Sequence, residues 1–269
     1  MVSREQKKEA VIYLKQFLSE RKACDVVNIH RSVYRHNQIE KDAEVVEEIR
    51  RIANKHKRYG YRRITATIRK NKKVNHKKIY RLYNKMGLKY RIKSRKKRNC
   101  GEKKPLILPS RVNVRWSMDF VSDSFYDGRK FRVFNLIDDC SRESIMQHPD
   151  LSISGRRLVR LFEDLKKTRN LPKQIVCDNG TEFTSKVFLK WADDNNVELC
   201  FIDKGKPTQN AFVESFNGKF RDECLNQEWF MDINDARIKI GKWRNEYNEE
   251  RPHSSLGDLS PYEFIREIA

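Results

Sequence analysis

Three carboxylates stand where an acidic group is either costly or conspicuous. Asp119 lies inside an apolar run that reads as a strand, flanked by Met118 and Phe120, and a buried acid is expensive unless it is paired or coordinates a metal. Asp178 opens DNGTEF directly after Gln174, Ile175, Val176 and Cys177. An apolar stretch of that length bounded by a turn signal predicts a buried strand with the carboxylate at its end. If the two strands neighbour each other in parallel, both acids point to one edge of a sheet. Glu214 lies in QNAFVESFNGKFRDECLN, which reads as a helix. At about 100° per residue, Phe212, Phe216 and Phe220 share one side, while Glu214, Asn217, Gly218 and Arg221 take the opposite one. The phenylalanines would dock on the sheet, leaving Glu214 and Arg221 facing outward along one line. Each acid also has a bland reading: a turn at Asp178, a backbone-satisfied Asp119 and a surface charge at Glu214.

The elements that would position these groups follow a sharp division of charge. The chain of 269 residues carries a net charge of +21, yet residues 51–100 hold 21 Lys and Arg and no Asp or Glu. The other 219 residues balance at 37 basic and 37 acidic. So concentrated a block attracts a polyanion through counterion release, and nucleic acid is the expected partner; a solvated basic tail is the plainer alternative. No segment approaches the ~18 apolar residues of a membrane span, and no signal-peptide pattern opens the chain. The cysteines at 24, 100, 140, 177, 200 and 224 form no C-x-x-C pair, so neither a zinc module nor a disulfide framework is indicated and a reduced cytosol fits.

Residues 1–40 predict two or three short helices, with Ala10, Leu14 and Phe17 at helical spacing and Ser19 and Ser32 as caps. A helix-turn-helix fits them, as does any small helical bundle. Residues 41–90 predict three helices. In the third, Ile79, Leu82, Tyr83 and Met86 form one apolar face, Lys77, Lys78, Arg81 and Lys85 the other, with Asn75 as cap and Gly87 as stop. A basic-faced third helix of that kind suits a DNA groove, with Arg62 and Arg63 of the preceding helix as further contacts. Residues 91–112 read as a basic linker. From about residue 113, three strands with a hairpin turn at Asp127-Gly128 are followed by helix, strand, helix, strand and two longer helices. Ile233, Ala236, Ile240, Trp243 and Tyr247 form a helical stripe read as core.

The spacing of 35 residues between Asp178 and Glu214, with WSMDF before and FVESFNGKFRDECLN around the glutamate, resembles the D,D,35,E core of retroviral integrases and insertion-sequence transposases. More narrowly, RYGYRRITATIRKNKKVNHKKIYRLYNKMGL, WSMDF, CDNGTEF, GKPTQNAFVESFNGKFRDECLN and WRNEYNEERPHSSLGDLSPYEF are similar to the second-reading-frame product, OrfB, of the third insertion-sequence family. The resemblance covers nearly the whole chain. It implies an α/β, ribonuclease H-like mixed sheet flanked by helices over residues 113–269, preceded by all-α helix-turn-helix segments at 1–40 and 41–90. It further implies that Asp119, Asp178 and Glu214 hold two magnesium ions, with manganese as a substitute, and that Arg221 contacts terminal DNA. Relatives often carry His-Ser-Asp at the second acid, where this chain has Val176-Cys177-Asp178.

That assignment suits phosphodiester chemistry, since two metals about 3.5–4 Å apart activate a hydroxyl nucleophile and stabilise the leaving oxygen, and hard carboxylate oxygens suit magnesium. The implied enzyme is a polynucleotidyl transferase that cleaves the 3′ end of an insertion sequence and joins it to another strand. Its implied partners are double-stranded DNA (terminal inverted repeats and target), an OrfA protein or an OrfAB fusion, and further copies of itself on DNA, in a bacterial cytoplasm at the nucleoid and with no membrane. A ribonuclease H-like nuclease of another substrate, and a DNA-end binding protein whose core does little, are the competing readings.

Overall fold

A computed structural model of the chain describes residues 2–35, 42–89, 109–203 and 207–268. The first three helices are α1 (Arg4–Leu14), α2 (Glu20–Val26) and α3 (Arg31–Arg35). Ser3 closes a capping box with Gln6 on α1, and Ser19 caps α2 through the Lys22 amide. Ser32, expected as a cap, instead lies inside α3, its hydroxyl bonded to His30 Nδ1 at 2.7 Å. The apolar face is also rotated from expectation. Val11 is the buried residue of α1, whereas Phe17 falls past the helix end and stays exposed.

The next unit is α4 (Ala43–Lys55), α5 (Tyr61–Arg69) and α6 (His76–Lys85). Asn75 accepts the Lys77 amide at 2.9 Å, and Gly87 takes a positive φ of 69° that ends α6. Ile79, Leu82 and Tyr83 join Ile49, Ile52, Ile64 and Ile68 in one core. The expected basic linker lies largely outside the described residues.

The remainder is a five-stranded mixed sheet of order β3-β2-β1-β4-β5, with helices on both faces. Its strands are β1 (Arg115–Ser124), β2 (Lys130–Asp138), β3 (Ser144–Asp150), β4 (Gln174–Cys177) and β5 (Glu198–Phe201). Between them run α7 (Gly155–Lys166) and α8 (Lys186–Asp194), and after them α9 (Ala211–Phe220), α10 (Ile233–Glu249) and α11 (Pro261–Ile268). The first three strands pair antiparallel, while β4 and β5 continue from β1 in parallel.

Strand alternation divides the core in two. Trp116 and Met118 of β1, with Phe134 and Leu136 of β2, face Leu158 and Phe162 of α7 and Phe188 and Trp191 of α8. On the opposite face Val121, Val133 and Ile137 meet Val213, Phe216 and Phe220 of α9 and Ile240 and Tyr247 of α10. Asp119 belongs to this second face. The stripe from Ile233 to Tyr247 packs there too, whereas Phe212 is only half-buried and lies under the guanidinium of Arg142, 4.0 Å from its ring centroid.

Gly155, which starts α7, is set against the cap of α8. A Cβ there would meet Ser185 Oγ at 1.9 Å and Ser185 Cβ at 2.8 Å. Gly155→Ala is therefore expected to cost about 1–3 kcal/mol as an overpacking change, measured by urea unfolding, and Ser185→Gly in the same chain should restore most of it.

Candidate active site

Parallel pairing of β1 with β4 brings distant acids to one level. β1 and β4 pair in register from Arg115↔Gln174 to Ser117↔Val176. Carried two residues on, the same step sets Asp119 beside Asp178, the first residue past β4. The loop that holds Asp178 is a turn. Its Oδ1 accepts the Gly180 amide at 2.9 Å, Asn179 Nδ2 donates to the Ile202 carbonyl at 2.8 Å, and the Gly180 carbonyl accepts Phe183 and Thr184 amides. A Cβ at Gly180 would stand 3.0 Å from Asp178 Oδ1, so the carboxylate would have to give by a few tenths of an ångström to admit it.

Asp119 is half-buried and held at both oxygens. Oδ1 accepts the Phe120 amide and Oδ2 accepts Asn217 Nδ2, each at 2.7 Å. Asn217 in turn accepts Asn135 Nδ2 at 2.8 Å, and Asn135 Oδ1 accepts Gln147 Nε2 at 3.1 Å. The relay runs from β3 through β2 to Asn217 on α9, one helical turn beyond Glu214, and ends on Asp119 of β1. Asn217 was expected to face outward with Glu214; it turns to the sheet instead. A second tie, Asn210 Nδ2 to the Met118 carbonyl at 3.3 Å, pins the start of α9 to β1.

Burial first, then the charges of Asp178 and Glu214, push the Asp119 carboxyl up to about 6, against the bonds from Phe120 and Asn217 that favour its ionised form. Glu214 sits exposed in the first turn of α9. Among the described residues no three His, Cys, Asp or Glu side chains are gathered closely enough to hold a metal ion. The structure thus sets Asp119 of β1 level with Asp178 just past β4, with Glu214 close enough to act on the Asp119 charge, without closing the set. Hard oxygen donors whose charges help push the Asp119 carboxyl up are a donor set that a divalent cation fits.

Phe120 stacks on Phe183, with ring centroids 5.0 Å apart, and carries the Arg132 guanidinium at 4.1 Å. Arg132 pairs with Glu182 of the DNGTEF stretch. Neither Arg132 nor the Asn217 relay was singled out from sequence, although Asn217 lies three residues from Glu214 in the quoted motif.

The expected DNA contacts divide by how much of their charge is already used. Lys77 and Lys85 are exposed and make no ion pair among the described residues. Lys78 and Arg81 share Asp42, with Arg81 at 2.7 Å. Arg62 is exposed beside the Tyr61 hydroxyl, and Arg221 donates to the Ser122 carbonyl at 2.8 Å. Arg63 is turned inward, 2.7 Å from Glu223 and stacked over Tyr59. It joins α5 to the carboxyl end of the α9 segment.

Comparison with known proteins agrees with this architecture. Two families described as Integrase core domain match residues 109–207 and 195–261, and a family described as HTH-like domain matches 40–98. The insertion element IS407 uncharacterized 31.7 kDa protein of Burkholderia multivorans is 42% identical over 251 residues, spanning 92% of this chain and 90% of that protein. The putative transposase InsK for insertion sequence element IS150 of Escherichia coli K12 is 27% identical, spanning 84% of each chain. In fold, a chain of the simian T-cell lymphotropic virus intasome in complex with PP2A regulatory subunit B56 gamma aligns with a TM-score of 0.51 at 12% identity, covering 81% of this chain and 74% of that one. No helix among the described residues is long and apolar enough to cross a membrane. An integrase core behind an HTH-like unit, together with identity of this level along nearly the whole of an insertion-element protein, shows that the chain belongs to the insertion-sequence transposases of the IS3 family.

Proposed function

We propose that Asp119, Asp178 and Glu214 are the metal ligands of this transposase and that it cuts the 3′ end of its element and joins the freed hydroxyl to a second phosphodiester. The observation that carries this reading is the pairing of β4 beside β1, which levels Asp119 with Asp178 under the helix that bears Glu214. Two magnesium ions, or manganese in their place, would supply a nucleophile active at neutral pH and charge stabilisation for the leaving oxygen.

The chain's own residues do the positioning. Phe120 and Asn217 fix both oxygens of Asp119, and the Gly180 turn fixes Asp178. Glu214, exposed on the first turn of α9, keeps the rotamer freedom to swing toward a cation. The like charges that burial makes costly become favourable once a cation neutralises them.

The division of labour follows the elements: residues 1–40 and 41–90 engage DNA ends, 91–112 forms a basic linker and 113–269 carries the chemistry. Lys77 and Lys85 lead the contacts of α6, with Lys78, Arg81, Arg62 and Arg221 beside them, while Arg63 serves the join between units. Terminal inverted repeats and target DNA are the substrates. Bringing two ends together calls for several copies, and an OrfA protein or OrfAB fusion supplies further end recognition, at the nucleoid of a bacterial cytoplasm.

The test is cleavage and joining of a labelled DNA carrying the element end, titrated with magnesium. Joined products are expected; cutting without joining would favour a nuclease of another kind. Asn217→Ala, which frees Asp119 Oδ2 and strands Asn135, is expected to raise the magnesium needed for half-maximal activity about 10–100-fold, the usual cost of losing an outer-shell partner.

A further inference from the structure

A cleft of about 530 Å³ opens between α5 and residues 251–258, away from the carboxylates. Arg62 and Arg69 of α5 line one side, Arg251, Ser254 and Ser255 the other, and Lys219 reaches it from α9. Its charges are unequally answered. Glu223 takes Arg63 and Arg251, each at 2.7 Å, and Asp258 is the single acid among the described lining residues. Lys219 has neither an ion pair nor a hydrogen bond among the described residues, although burial first, and then the charge of Arg251, pull its ammonium down to about 8. It remains cationic at neutral pH.

The neighbouring histidine adds shape and not charge. His253 Nδ1 donates to the Arg251 carbonyl at 2.8 Å, and Nε2 stands 3.3 Å from Arg251 Nη1 as an acceptor. Burial, then Arg251, push its imidazole down to about 2, so it stays neutral. It buttresses the guanidinium against Tyr247.

A half-buried ammonium with no counterion, flanked by exposed guanidinium forks and serine hydroxyls, is suited to an oxyanion with several acceptor oxygens. The position selects among such anions. α5 belongs to the HTH-like unit, and Lys219 lies five residues after Glu214, about 7.5 Å along the axis of α9. A phosphate held there lies between α5 of the HTH-like unit and α9, the helix that bears Glu214. We propose that this cleft binds a backbone phosphate of DNA through Lys219, Arg62 and Arg69, guiding the strand from the helix-turn-helix unit toward α9. The proposal rests on the transposase reading above.

The experiment is binding of the full chain to a labelled duplex carrying the element end, measured across a salt series. Lys219→Met should lower the slope of log affinity on log salt by about 0.9, one phosphate's worth of counterion release, and weaken binding severalfold. Its Tm should hold or rise, because an unanswered charge has been removed; a purely structural lysine would lower it. If the variant melts earlier, Arg69→Gln, at an exposed position, decides by the same slope. Wild-type binding with both variant slopes unchanged overturns the cleft and leaves the transposase reading standing. Absence of any wild-type binding overturns both. Inorganic phosphate is the second probe: a Tm rise with phosphate that Lys219→Met abolishes, beside an unchanged DNA slope, would assign the cleft to a free anion and overturn the DNA phosphate.

Discussion

Asp178→Asn should leave a folded protein that binds end DNA as the wild type does and neither cuts nor joins it. The expected loss follows from charge. A metal site contributes several kcal/mol to the transition state, and each ~1.4 kcal/mol is tenfold in rate, so a fall on the order of 10³-fold or more is expected. Unfolding is an unsuitable explanation for that loss. An asparagine Oδ1 can still accept the Gly180 amide that Asp178 Oδ1 accepts at 2.9 Å, so the turn survives. Asp178 is also one of the charges that push the Asp119 carboxyl up; removing it lets that pKa fall back toward the ordinary range and relieves the folded state. The Tm of the variant should therefore equal or exceed that of the wild type. Product formation in single-turnover assays checks the first half and thermal melting the second. A variant that still cleaves at the wild-type rate would remove Asp178 from the metal site.

The parts of this site that sequence could reveal are those whose signal is local. Gln174 to Cys177 reads as a short strand that runs into an acid, and Ile175 and Cys177 are buried, so the strand end and its carboxylate are visible together. The amphipathic phase of α6 is likewise complete within the ten residues from His76 to Lys85, behind the Asn75 cap. In α9 the phase is legible but the absolute rotation on the sheet is not. Phe212 is as apolar as Phe216, yet Val213 takes the buried position and Phe212 goes beneath Arg142. That rotation brings Asn217 inward to Asp119. Past Phe220 the backbone widens into a π-helical turn, Arg221–Leu225, which adds a residue to the turn and carries Cys224 and Leu225 into the core. Periodicity at 3.6 residues has no term for such a step. The β1–β4 neighbourhood and the Glu182–Arg132 pair depend on residues 50 or more apart in sequence, and no window of sequence contains both members.

The buried cluster of Glu223 with Arg251 and Arg63, whose Arg63 pair is of still longer range, should also be costly to break. Glu223→Gln is expected to destabilise the chain by about 3–5 kcal/mol, the range for removing one partner of a buried ion pair. Glu223 Oε1 accepts Arg63 and Arg251, each at 2.7 Å, and Oε2 accepts Arg251 Nε at 2.8 Å. The side chains of Arg251 and Glu223 are 4% and 8% exposed, so water cannot replace the lost charge. Glutamine accepts through one atom only, and its amide would present a donor to the Arg251 fork. Lys219 nearby would add to the repulsion. Burial pushes the Glu223 carboxyl up, but the bonds and charge of Arg251, and then Arg63, outweigh it and hold the carboxyl below the usual range. A depressed folded pKa makes the stabilisation complete above the ordinary carboxylate value and lost as pH falls through the folded one. The gap between wild type and Glu223→Gln in urea unfolding should accordingly be constant near neutrality and close only in acid. Glu223→Met combined with Arg251→Met should recover much of the loss, because apolar replacement of both partners leaves no orphaned charge. Arg63 then loses its anchor, and α5 its tie to the end of the helix that carries Glu214. A double variant as stable as the wild type but slow to join DNA would show that this carboxylate serves alignment of the two units, whereas full activity would confine its role to stability.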